Sequence, residues 1–208
     1  MTITWFGHSC FRIETKEAAI LIDPFSKDIG LRPPRIKDDL VLVSHNHYDH
    51  NNIEGINPEG MLIDGPGEYE KKGIYVRGIF SYHDKVEGKE RGVNTMYVIK
   101  AEDITVCHMG DFGQASFEKN QLDDIGDVDI LMIPVGGKYT IDYKEAVQIA
   151  GQIEPKIIMP MHYKVKDLKI DIDGPDKFVK ELGLTPEKTD KFKIAKKNLP
   201  TEEMKLIT

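Results

Sequence analysis

The chain is short of the residues that mark several protein classes. It has two cysteines in 208 residues, Cys10 and Cys107, so at most one disulfide is available and no disulfide framework holds the fold. Two reduced, buried thiols are the expectation. No apolar run approaches the roughly 20 residues that a helix needs to cross a bilayer, residues 130–135 being among the longest. The opening Met1-Thr-Ile-Thr-Trp-Phe-Gly-His has neither the basic nor the apolar region of a secretory signal, and a cytoplasmic location is expected by default. Positive charge is not in excess: 28 Lys+Arg stand against 35 Asp+Glu, a net charge of −7, which disfavours an electrostatic footprint for duplex nucleic acid. No segment is of low complexity, and no period of twenty to fifty residues repeats, which removes solenoids and propellers. What remains is a chain with 40% hydrophobic residues, eight Tyr and eight Phe, enough for a buried core and consistent with one domain over residues 1–208.

Alternating apolar and β-branched residues predict strands over 2–6, 10–14, 19–22, 40–44, 61–64, 74–82, 95–100 and 104–107, with Ala101-Glu102-Asp103 as a hairpin turn. The pattern then changes. A continuous apolar run over 130–135, helical spacing over 142–153 and a second apolar run over 156–161 predict a β-α-β unit with a parallel crossover. Asp142 followed by Glu145 is a capping-box pattern, and Ala146, Val147, Ile149, Ala150 and Ile153 supply the buried stripe. A further helix is predicted to begin at Gly174-Pro175, with Pro175 in its first turn, Phe178, Val179 and Leu182 facing inward and Gly183 at its end. A weaker helical pattern covers 116–125, and the Lys-rich tail after Leu184 reads as an edge strand with a solvated face.

Seven histidines are present, and three of them fall within Ser44-His45-Asn46-His47-Tyr48-Asp49-His50. On an extended strand end His45 and His47 point the same way, and two imidazoles so placed can grip one metal ion. If the chain then turns, Asp49 and His50 swing back and offer an oxygen and a nitrogen to a neighbouring ion. Packing is a poor account of such a run, because each polar side chain would need its own partner if buried.

On these residues the sequence resembles the metallo-β-lactamase superfamily, whose signature is a His-x-His-x-Asp-His loop after an apolar strand. Leu21-Ile22-Asp23-Pro24 looks like the family's first motif, an aspartate that braces the histidine loop. Gly110-Asp111 looks like its bridging aspartate, and Met159-Pro160-Met161-His162 ends the β-α-β unit as the family's last histidine does. Trp5-Phe6-Gly7-His8-Ser9-Cys10-Phe11, His108-Met109-Gly110-Asp111-Phe112-Gly113 and Ile133-Pro134-Val135-Gly136-Gly137 resemble the compact metal-dependent hydrolases related to ascorbate-6-phosphate lactonase and to the phospholipase D that acts on N-acyl-phosphatidylethanolamines. The resemblance implies an α/β (α+β) fold, a four-layer αββα sandwich with the metal site where strand ends meet.

It also implies a ligand set: His45, His47 and His83 on one ion, Asp49, His50 and His162 on the other, and Asp111 between them. For the third ligand of the first ion His83 and His108 compete. His83 precedes the hairpin as the family's histidine does and fits better, leaving His108 as a supporting residue, although lactamase-like members have Gly-His-Thr where this chain has Ser81-Tyr82-His83-Asp84. A hydroxide shared by two metals would attack a carbonyl or phosphoryl centre, with Asp49 orienting the nucleophile and receiving its proton. The expected cofactors are two divalent ions, zinc first, with manganese or iron as the other options. The expected substrate is a phosphodiester, lactone or other ester of a small metabolite. Alternatives of the same fold are an RNA- or DNA-acting nuclease and a diiron redox protein, the latter disfavoured because such members carry Glu where this chain has His47. A metal sensor without catalysis would be marked by a missing ligand, and none is missing.

Other residues carry lesser expectations. His8, in a Gly-His-Ser turn, is placed either at the mouth of the site against substrate or as a capped turn histidine. Gly136 and Gly137 open toward a helix N-terminus, where backbone N–H groups can hold an anion, a tight turn being the plainer alternative. Lys138 and Tyr139 would then be substrate contacts. The sequence leaves the oligomeric state open, a homo-oligomer included.

Overall fold

A computed structural model of the chain describes every residue except 36, 58 and 119. Among the described residues, the strands form two sheets. The first is built from β1 (Thr2–Trp5), β2 (Phe11–Glu14), β3 (Ala19–Ile22), β4 (Leu40–Leu42) and β5 (Met61–Ile63). The second begins with β6 (Gly67–Lys71), β7 (Ile74–Tyr82), β8 (Val93–Ala101) and β9 (Ile104–His108), antiparallel throughout. It continues through β10 (Ile130–Pro134) and β11 (Ile157–Met161), which run parallel to each other and to β9. Every residue of β10 and β11 is buried, as parallel strands covered on both faces require.

Between β10 and β11 the chain crosses over through α2 (Tyr143–Ile153), preceded in sequence by α1 (Gln121–Ile125) and followed by α3 (Asp176–Leu182). The capping box at the start of α2 is complete: the Asp142 carboxylate accepts the Lys144 and Glu145 N–H groups at 2.8 and 3.0 Å, and the Glu145 carboxylate accepts the Asp142 N–H at 2.9 Å. Ala146, Ile149, Ala150 and Ile153 are buried, while Val147 is only partly so. Pro175 occupies the N-cap position immediately before α3, without a side-chain capping bond, rather than lying in its first turn, and Gly183 ends the helix in the left-handed conformation, φ 73°. The helix expected over 116–125 contracts to α1, because Asn120 takes a left-handed φ of 77° and the Gln121 side chain accepts the Glu118 N–H at 2.8 Å; residue 119 lies outside the described residues.

Alternation along the strands places Ile3, Ile13, Ile20 and Leu42 of the first sheet in one apolar core with Val76, Tyr97, Val106 and Ile130 of the second. Tyr97 also ties the sheets by hydrogen bonding, its hydroxyl donating to the Val43 carbonyl at 2.7 Å. Leu21, which alternates to the other face of β3, packs with Phe25, Ile29, Leu168 and Ile172 beneath a short 3-10 turn. The architecture is thus a mixed α/β pair of large sheets with few helices. Its tail is not a single edge strand: β12 (Pro186–Glu187) and β14 (Lys205–Ile207) extend the second sheet beside β11, while β13 (Lys191–Lys193) pairs with β1 of the first. β6 has no counterpart among the strands read from sequence, because Glu68, Glu70 and Lys71 around Tyr69 give it the charged composition of an edge. No helix among the described residues is long and apolar enough to cross a membrane.

Candidate metal centre

The two sheets bring the ends of several strands to one rim. Asp23 follows β3, His45 to His50 follow β4, His83 follows β7, Asp111 lies three residues beyond β9, and His162 follows β11. His8 lies in the turn between β1 and β2. Where β9 ends the chain turns at Gly110, φ 56°, and a Cβ there would lie 2.3 Å from Asn94 Oδ1 and 2.7 Å from Ser44 Cβ. Only glycine lets the backbone pass so close while Asp111, whose N–H donates to Asn94 Oδ1 at 2.9 Å, turns into the cluster.

Asp23 sets the orientation of two of the imidazoles. Fully buried, it accepts the Ser44 N–H and Ser44 Oγ–H, both at 2.7 Å, and His50 Nδ1–H at 3.0 Å. Because the Ser44 hydroxyl donates to Asp23, it accepts from His45 Nδ1 at 2.9 Å. One carboxylate therefore places protons on the Nδ1 atoms of His45 and His50 and leaves both Nε2 atoms turned toward the cluster. Among the described residues, the buried His45 Nε2 has no hydrogen-bond partner, nor has Asp111 Oδ1.

Asp111 is the meeting point. Its Oδ2 lies 3.2 Å from His83 Nε2, 3.1 Å from His162 Nε2 and 3.9 Å from His45 Nε2, and its Oδ1 lies 3.4 Å from His50 Nε2. The donor atoms of His45, His47 and His83 lie within 4.8 Å of one another, as do those of His45, His50 and Asp111, and those of His8, Asp49, His50 and His162. Donors around a tetrahedral ion bound at about 2.0–2.1 Å are roughly 3.3 Å apart, so these spacings and this nitrogen and oxygen set fit divalent metal. The orphaned His45 Nε2 and Asp111 Oδ1 are atoms that such an ion would satisfy.

Electrostatics within the cluster agree with its donor role. Burial, reinforced by His50, pulls His45 down to about 2, and burial with His83 lowers His47. Burial and His162 bring His8 to about 4. Burial works against ionisation of Asp111, but His162 and His50 hold it well below the usual carboxylate range. Burial likewise opposes the charge on Asp49, which the hydrogen bond from His8 and the nearby His50 outweigh. His50 is pushed up despite its burial by Asp111 and Asp23, so a proton and a metal ion compete for its Nε2 lone pair.

His83, not His108, stands in the cluster. Both nitrogens of His108 are engaged, Nε2 donating to the Ser9 carbonyl at 2.9 Å and Nδ1 accepting the Gly110 N–H at 3.1 Å. His8 is not at the mouth: it is fully buried among the histidines. The cluster opens into a cleft of about 580 Å³ whose walls include Tyr48, Tyr139, Arg91 and Lys169. Gly136, Gly137 and Lys138 do not line it. A Cβ on Gly136 would lie 2.1 Å from the His162 carbonyl oxygen, so this glycine lets the chain that leaves β10 pass the His162 backbone. Lys138 pairs with Asp171 at the surface, and the helix N-terminus ahead is already capped by Asp142.

Arg91, Lys169 and Asp84 were not singled out by the sequence. Nothing in spacing marks Arg91 and Lys169, which come from loops far apart in the chain. Asp84 had a signal in its place next to His83: its buried carboxylate accepts the N–H groups of Val86, Gly88, Glu90 and Arg91 at 2.8–2.9 Å and so shapes the loop that carries Arg91.

Known proteins are similar to this chain in sequence and fold. The Beta-lactamase superfamily domain matches residues 2–162. A UPF0173 metal-dependent hydrolase of Methanopyrus kandleri is 30% identical over 221 residues, covering 90% of this chain and 95% of its own. Another, of Staphylothermus marinus, is 33% identical over 220 residues, covering 89% and 93%. A Thermotoga maritima crystal structure, described as a candidate Zn-dependent hydrolase of the metallo-beta-lactamase superfamily, superposes with a TM-score of 0.82 at 34% identity, covering 99% of this chain and 97% of that one. With the matched fold and the His/Asp cluster in view, the chain belongs to the beta-lactamase superfamily, among its UPF0173 metal-dependent hydrolases.

Proposed function

We propose that residues 1–208 act as one dinuclear hydrolase domain, cytoplasmic and zinc-dependent, with manganese or iron as the other candidate metals, that cleaves a phosphodiester, lactone or other ester of a small metabolite. The observation that carries this reading is Asp111, whose carboxylate lies between two groups of donors at the floor of an open cleft. His45, His47 and His83 would hold one ion, Asp49, His50 and His162 the other, and Asp111 both. When bound, such a pair supplies an activated water and a Lewis acid for the substrate's electrophilic centre.

The chain's own groups account for the remaining requirements. Asp49 keeps its charge, and its side chain is 13% exposed on the cleft side, so it is placed to orient the attacking water and take its proton. Asp23 and Ser44 keep the imidazole nitrogens aimed at the centre. Arg91 and Lys169 line the cleft together with Asp171, whose carboxylate is paired with Lys138, so the two cations are left to meet an anionic substrate group, and Tyr48 and Tyr139 offer aromatic surface beside it. A net charge of −7 speaks for a small substrate rather than nucleic acid.

The test is hydrolysis of a generic phosphodiester and a simple lactone by metal-free protein reloaded with zinc, manganese or iron, beside His47→Ala and Asp111→Ala. Metal-dependent turnover lost in both variants is the expected result. Failure of the wild type to bind any of the three metals would refute the site.

A further inference from the structure

The ligand set drawn from the histidine loop leaves His8 out, yet His8 is as much a part of the cluster as its accepted members. Its ring is fully buried, with Nε2 at 3.1 Å from Asp49 Oδ2 and 3.1 Å from His50 Nε2, and its centroid is 4.3 Å from that of His162. Its Nδ1 points away without a partner, as do the Nδ1 atoms of His83 and His162, whose Nε2 atoms face Asp111. The backbone is held to that position at a cost. His8 has φ 54°, a left-handed conformation uncommon for histidine. Its carbonyl accepts both the Trp5 indole N–H at 3.1 Å and the His162 N–H at 3.0 Å, and His108 clamps the next carbonyl, that of Ser9.

Two ring nitrogens and a carboxylate oxygen at such spacings need a proton or a cation between them. A proton joins two atoms, whereas here four donor atoms, from His8, Asp49, His50 and His162, converge within 4.8 Å. With Asp111 beside them as a fifth donor, the number and the spacing suit a metal ion rather than a proton, donors around a bound ion being roughly 3.3 Å apart.

We propose that His8 is a direct donor to the second ion, making that pocket a cage of three imidazoles and one carboxylate that fills before the pocket of His45, His47 and His83 and empties after it. The inference rests on the dinuclear reading above. The order follows from the donors: one pocket has four besides Asp111, while the other has three, among them His47, which is only half-buried.

Zinc titration of metal-free protein against a chromophoric chelator tests it, together with X-ray absorption at one zinc per chain to count imidazoles. The wild type should take up two ions in separate steps. His8→Gln, and His8→Ala if it folds, should weaken the tighter step by at least tenfold, taking the 10–100-fold typical of lesser disruptions at metal sites as a floor. In half-loaded His8→Gln the tighter ion should lose one imidazole. His47→Ala should weaken the other step alone. Two wild-type ions with both affinities unchanged in folded His8→Gln would overturn the role of His8 and leave the dinuclear reading standing. A wild type that binds fewer than two ions would overturn both.

Discussion

Replacing Asp23 by Asn is the most informative single change, because it alters one proton acceptor and leaves volume nearly unchanged. The carboxylate accepts three hydrogen bonds, from the Ser44 N–H, the Ser44 hydroxyl and His50 Nδ1. An amide keeps one acceptor oxygen, which suffices for the Ser44 N–H, and turns two donor hydrogens toward groups that were themselves donors. His50 must then move its proton from Nδ1 to Nε2. If the Ser44 hydroxyl reverses to accept from the amide, its hydrogen faces His45 Nδ1, and His45 must make the same exchange. In both rings the displaced proton occupies the nitrogen that faces the metal pockets. A charge-assisted hydrogen bond contributes about 1.5–3 kcal/mol, and loss of one sets the expected drop in metal-free stability. Metal affinity should fall by about 10–100-fold in each pocket, equivalent to about 1.4–2.8 kcal/mol per ion. Chelator competition gives the affinities, and urea unfolding of metal-free protein gives the stability. Ser44→Ala is the control, cutting the link to His45 while His50 keeps Asp23, so one pocket alone should weaken. Folded Asp23→Asn with both affinities at the wild-type level would refute the account of how these imidazoles are aimed.

Asp84→Ala should cost about 2–3 kcal/mol in urea unfolding, since four backbone N–H groups lose a buried charged acceptor and regain only water. Gly136→Ala should destabilise by about 1–3 kcal/mol and lower metal content, because its Cβ would overlap the His162 carbonyl. Gly151→Ala, at an exposed position of α2 with nothing among the described residues within 4 Å of the added Cβ, should instead stabilise by about 0.5–1 kcal/mol. Asp129 is held below the usual carboxylate range: burial opposes its charge, but Lys156 at 2.6 Å, the Thr105 N–H at 3.0 Å and Lys196 at 3.1 Å outweigh it. A depressed folded-state value means stabilisation present above the unfolded pKa of about 3.9 and lost as pH falls through the folded one. Asp129→Asn should therefore show a shallower loss of stability than the wild type between about pH 5 and about pH 3. Arg91→Ala should raise KM about two- to fivefold for an anionic substrate against a neutral ester, with kcat retained, as loss of a partly exposed ion contact implies.

How much of this was legible beforehand depends on how far each feature reaches along the chain. The β-α-β unit was readable because hydrophobic period and capping chemistry act over one or two turns: Asp142, Glu145 and the stripe through Ile153 lie where their spacing put them. The histidine loop was readable because four polar donors in six residues have few packing explanations. β6 was not, because an edge strand needs charge more than apolar alternation. The tail looked like one strand, yet the fold divides it between both sheets, a choice made by which edges remain open once the earlier strands have paired.

Within the site, sequence alone determined which chemical groups were available, since His, Asp and Gly residues in these motifs have little other use. Tertiary structure decided which of them meet. His83 and His108 differ by where two strands end and by the Ser9 carbonyl and Gly110 N–H that engage both nitrogens of His108. His8 joins residues more than forty positions away because a left-handed turn, held by Trp5 and His162, buries its ring instead of exposing it. Spacing carries such information only along a continuous element, whereas these donors arrive from five strand ends, and their convergence exists only once two sheets have closed on a common core.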